Sequence, residues 1–156
     1  MQLDYEINKQ TPANIDVLVK MAGDKNHCDK RLQALDELKK WDCQKSRDVI
    51  TRLALHDRVY KVKEKAFRVA QALGIKKGGK PIYLGKKDTG YKSKDFKKIF
   101  SRIKRESHMD TLNLEVFKSK FIQINPEMYD VMLNEKNSKF DEWIEGIYRS
   151  LPKDKE

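Results

Sequence analysis

The residue types that most often do chemistry are present in this 156-residue chain, and their neighbours decide what each can do. Asp88-Thr89-Gly90 spells the tripeptide of an aspartic protease. Two such carboxylates share a proton only between apolar strands, and here Lys86, Lys87 and Lys92 crowd the aspartate, so a lysine-rich turn is expected. Ser101-x-x-Lys104 sets a hydroxyl one helical turn before an amine, without the Ser-Asp-Asn or Lys-Thr-Gly partners that such a nucleophile needs. Gly78-Gly79-Lys80 lacks the spacer and the hydroxyl residue of a phosphate loop and reads as a hinge. His27, Cys28, Cys43 and His56 are metal-ligand types without Cys-x-x-Cys or His-x-x-x-His spacing, so packing and surface positions are expected of them. Neither they nor His108 has a nucleophile to serve. The chemistry thus points away from an enzyme, with no catalytic residue, cofactor or metal expected.

A stronger signal is charge. Residues 1–57 hold ten Lys/Arg and ten Asp/Glu, residues 58–110 hold seventeen against five, and residues 111–156 hold seven against nine, for a net charge of +10. Such a concentration in the middle of the chain is the footprint of a polyanion partner. Lys76, Lys77, Lys80, Lys86, Lys87, Lys92 and Lys94 would neutralise phosphates while Tyr83 and Tyr91 stack on unpaired bases. Lys97, Lys98 and Arg102 extend the set onto the next helical segment. At 37% charged and 38% hydrophobic residues, the composition is surface-rich yet sufficient for amphipathic helices. With no apolar run of membrane length and no leader-like N-terminus, a cytoplasmic location and no membrane association are expected.

The elements that would position these residues begin with a repeat. Asp16-Val17-Leu18-Val19-Lys20-Met21-Ala22 returns 32 residues later as Asp48-Val49-Ile50-Thr51-Arg52-Leu53-Ala54. Arg31, Ala34, Leu35, Leu38 and Trp41 return as Lys63, Ala66, Phe67, Ala70 and Leu73 at the same offset. Both blocks have helical spacing, so one unit is a helix pair that must stack on its neighbour. Four helices are predicted: one opened by Thr11-Pro12 and ended by Gly23, then 28–41, a third capped by Ser46 and closing near Asp57, and 59–73 with Gly74 past its end.

The run Asp57-x-x-x-x-Val62-Lys63-x-x-Ala66-Phe67-x-x-Ala70 resembles the HEAT and HEAT-like repeat family over about residues 11–74. The first copy departs from the pattern, with Lys25 in the place of Asp57 and Lys30 in that of Val62. The resemblance implies an all-α, α-α superhelical fold in which Asp57 caps the incoming helix and Lys63, or Arg31 in the first copy, runs along a ladder between repeats. Some members of that family are DNA glycosylases with an aromatic and an acidic residue at the lesion. Trp41 with Asp42 or Asp48 would take those roles, although no diagnostic motif maps onto them.

Three regions are therefore expected: helical repeats in 1–75, a basic Gly/Lys loop in 76–94 with a short strand at 82–84, and a helical region in 95–156 packed on the repeats as one body. The last region shows Phe96, Ile99, Phe100 and Ile103 on one face, shorter helices at 114–123 and 127–133, and a final helix with Phe140, Trp143, Ile144, Ile147, Tyr148 and Leu151 on one stripe. That stripe calls for burial against the rest of the chain. Major-groove reading by the segment after Pro126 is disfavoured, because Glu127, Asp130 and Glu135 would face phosphates. The expected function is a non-catalytic helical scaffold that docks a macromolecular partner, a protein in the first instance. The alternative partner is nucleic acid, held by the basic segment 76–105; oligomeric state is left open.

Overall fold

The computed structural model describes residues 3–152, which are mostly helical with one two-stranded hairpin. The chain forms two compact units, residues 1–89 and 90–156.

The first unit holds α1 (Ile15–Ala22), α2 (Cys28–Leu38), α3 (Gln44–His56) and α4 (Tyr60–Ala72). They pair as hairpins, α1 with α2 and α3 with α4, and the hairpins stack with α1 on α3 and α2 on α4. Burial follows the 32-residue offset: Leu18 and Ile50, Ala22 and Ala54, and Ala34 and Ala66 are all buried, both members of the last pair at 0% exposure. Small residues at these matching positions let the helices approach closely. Val17 breaks the match, being 59% exposed where Val49 is buried.

Several helix ends differ from their sequence reading. α1 starts at Ile15 rather than just after Pro12, because Ile15 N donates to Pro12 O in a preceding turn. α2 stops at Leu38, and Trp41 lies in a parallel bridge with Asn8 instead of on the helix. α3 begins at Gln44, so Ser46 sits inside its first turn and reaches back, accepting from Cys43 N (3.2 Å) and donating to Trp41 O (2.5 Å). After α4 the chain turns at Gly74 (φ 66°). It then forms β1 (Lys76–Lys77) and β2 (Lys80–Pro81), an antiparallel pair with Lys76 opposite Pro81 and Lys77 opposite Lys80. The strand expected at 82–84 is thus found earlier, and the Gly78-Gly79 hinge is a two-residue hairpin turn with φ of 60° and 77°. Positive φ at both central positions is what that turn requires, and glycine supplies it without strain.

The second unit holds α5 (Ser93–Glu106), α6 (Leu114–Ile124), α7 (Pro126–Lys136) and α8 (Phe140–Ser150). Asn113 and Asn125 cap α6 and α7 through bonds from Val116 N and Met128 N, and Pro126 occupies the first turn of α7. The helices close a ring, α5 on α6, α6 on α7, α7 on α8 and α8 on α5. Inside it the aromatic rings interlock edge to face: Phe100 meets Phe117 at 4.7 Å, Phe121 at 5.4 Å and Trp143 at 5.5 Å. The stripe of α8 is covered here, with Trp143 half-buried between Phe96, Phe100 and Phe140. No helix among the described residues is long and apolar enough to cross a membrane.

Candidate functional site

The turn between α3 and α4 contains a buried ion pair that joins the stacked hairpins. Asp57 receives Arg31 Nε at 2.8 Å and Nη2 at 3.0 Å, with 3% and 6% of the two side chains exposed. Its Oδ1 also accepts from Val59 N at 2.9 Å, and Arg31 Nη1 donates to Asp24 O at 2.7 Å. One carboxylate thus caps the turn into α4 and ties it to α2 of the preceding hairpin. Lys63 lies elsewhere: a Cβ on Gly85 would come within 3.3 Å of its Nζ.

Asp42 is held by a two-pronged bond from Arg47, Nε at 2.5 Å and Nη2 at 3.2 Å, while Arg47 also donates to Leu73 O at 2.8 Å. The Arg47 hydrogen bonds and charge keep the Asp42 carboxyl below the usual carboxylate range, outweighing its partial burial. Asp48 is exposed and accepts from Gln44 Nε2 at 2.8 Å. Trp41 is half-buried in its bridge to Asn8. Both carboxylates therefore serve local structure around α3. Partial burial raises the Cys43 thiol, but hydrogen bonds from the start of α3, Ser46 and Thr11 bring it below its ordinary value. Cys28 is buried. Among the described residues no three His, Cys, Asp or Glu side chains come together as a metal site.

The basic and aromatic residues expected to meet a polyanion divide between the units. In the first, Lys76, Lys77, Lys80, Lys86 and Lys87 are all exposed. Lys87 lies 5.1 Å over the Tyr60 ring, and none of the others has an ion-pair partner among the described residues. Tyr83 is 79% exposed, the largest exposure of any large hydrophobic residue described, while its neighbour Ile82 is buried and anchors the strand exit. In the second unit Lys92, Lys94, Lys97, Lys98 and Arg102 are exposed on and before α5. Arg102 donates to Glu106 at 2.7 Å, and Tyr91 is half-buried against Phe96 with ring centres 5.9 Å apart. A groove of about 330 Å³ opens beside Ser107, Glu115, Val116, Ser119, Lys120 and Gln123.

Sequence reading missed the cross-strand pairing of Lys77 with Lys80, although Gly-Gly between lysines is a two-residue hairpin signal. The convergence of residues 85–87 on Tyr60 and Lys63 of α4 has no local signature. Comparison with protein-family models, with curated proteins and with solved structures finds no match.

Proposed function

We propose that the chain is a non-catalytic docking module, a short HEAT-like superhelix of paired helices that holds a macromolecular partner. The observation that carries this reading is the buried Arg31–Asp57 pair, which fixes one hairpin on the next at the position where the repeat resemblance puts its ladder. Stacked hairpins offer a broad rigid surface without a reactive centre, and such a surface suits a protein partner. Lys65 lowers the Asp36 carboxyl and Arg47 that of Asp42, while at Asp24 partial burial is outweighed by His27 and the Asn26 backbone. These are structural contacts, which fits a scaffold.

A nucleic-acid partner is favoured by a separate observation, the exposed Lys76, Lys77, Lys80 and Lys86, which have no ion-pair partner among the described residues. Cross-linking the purified chain in native extract, with and without nuclease, and mapping the linked residues tests the docking reading. A copurifying complex whose cross-links fall on the outer faces of α1–α4 or on residues 76–87 is expected. A chain that stays unassociated throughout, or that turns over a small molecule, would overturn it.

A further inference from the structure

We infer that the hairpin Lys76–Pro81 and the extended segment after it form a site for single-stranded nucleic acid, with Tyr83 as the base-stacking platform. The inference rests on the docking reading and narrows its partner to one chemistry. Between Lys65 and Lys87 the chain has no Asp or Glu, so the hairpin lysines Lys76, Lys77 and Lys80 have no carboxylate among their near sequence neighbours, Asp88 following only after Lys87. The tight Gly78-Gly79 turn fixes Lys77 directly opposite Lys80 on the same face of the ladder. Like charges in that cross-strand position repel, and an anion seated between them converts the repulsion into binding. The paired register sets where the two lysines leave the backbone, so both can reach one anion from the same face.

Tyr83 makes the site more than a charge patch. The residue is 79% exposed, and its ring has no ring, cation or hydrogen-bond partner among the described residues. Lys80 stands three residues before it and Lys86 three after, at most about 10 Å of chain on either side. An aromatic face flanked by phosphate-neutralising groups is the arrangement that binds unpaired bases, since every base has a π-face while bases within a duplex keep theirs covered. The buried Ile82 roots the platform in the unit's core, so the ring is presented rather than trailing. An acidic protein surface would engage the lysines but would leave the ring without a role.

Fluorescence anisotropy with the full chain tests this, using labelled twelve-nucleotide oligo(dT) and oligo(U), a duplex of the same length, and polyglutamate as competitor. Either single strand is expected to bind more tightly than the duplex, with affinity falling steeply as salt rises. Tyr83→Ala should weaken single-strand binding about tenfold with the salt slope unchanged, and Tyr83→Phe should stay near wild type. The triple variant Lys76→Gln, Lys77→Gln, Lys80→Gln should flatten the log–log salt slope by roughly 0.7 for each phosphate that is no longer neutralised. Circular dichroism confirms that each variant, changed only at exposed positions, remains folded. Equal affinity for duplex with a silent Tyr83→Ala, or competition by polyglutamate at matched charge, would overturn the proposal. No nucleic-acid binding at low salt would also overturn it; a nuclease-resistant complex in extract would then leave the docking reading standing, and its absence would remove both.

Discussion

Individual side chains in the first unit act mainly as ties between segments. Asp42 is the clearest titrating example, because Arg47 stabilises its charged form in the folded state. A carboxyl whose folded pKa lies below its unfolded value adds stability that is present above the unfolded pKa, about 3.9, and is lost as pH falls through the folded one. Asp42→Asn is therefore expected to lower stability at pH 7 by about 1 kcal/mol, the pair being partly exposed. The gap to wild type should close below about pH 4 in urea melts run across pH. Cys43, with its lowered thiol, should react with a thiol reagent before the buried Cys28, as peptide mass mapping of a short alkylation would reveal.

Between elements, the buried pair and the small-residue packing dominate. Asp57→Ala leaves Arg31 charged and unpartnered inside the unit, an expected loss of about 3–5 kcal/mol, whereas replacing both residues with leucine should cost less than the single change. Denaturant midpoints for the wild type and the two variants decide this. Ala66→Leu should cost about 1–3 kcal/mol by overpacking, since Ala66 has no exposed surface. The helices were legible in the sequence because apolar periodicity is local: Leu18, Ala22, Ile50 and Ala54 are buried as their spacing foretells. The partner of Asp57 was less legible. The repeat resemblance offered both Lys63 and Arg31, and only the stacking of α2 on α4 brings Arg31, 26 residues away, onto the carboxylate. Trp41 was misread for a related reason, its place being set by backbone bonds to Asn8 that no helical period can announce. Of the basic residues, exposure was foreseeable from composition; that Tyr91 leans on Phe96 while Tyr83 stands clear depended on the fold.

Across the whole molecule the charge is unequally shared. Residues 58–89 carry ten Lys/Arg against two Asp/Glu after a balanced 1–57, so the first unit holds most of the excess. Crowded like charge opposes compaction and is screened by salt. Thermal melts of single-tryptophan variants, Trp143→Phe to watch Trp41 in the first unit and Trp41→Phe to watch Trp143 in the second, should show the Trp41 transition rising more between low and moderate salt. The lysine-bearing segment after the hairpin has a consequence of another kind. Trypsin cuts after exposed lysines in irregular chain, and Lys86 and Lys87 stand just before the division of the molecule at residues 89 and 90, whereas Pro81 protects the bond after Lys80. Brief digestion should therefore release two fragments, α1–α4 and α5–α8, each with a complete set of helices, its own core and a single tryptophan.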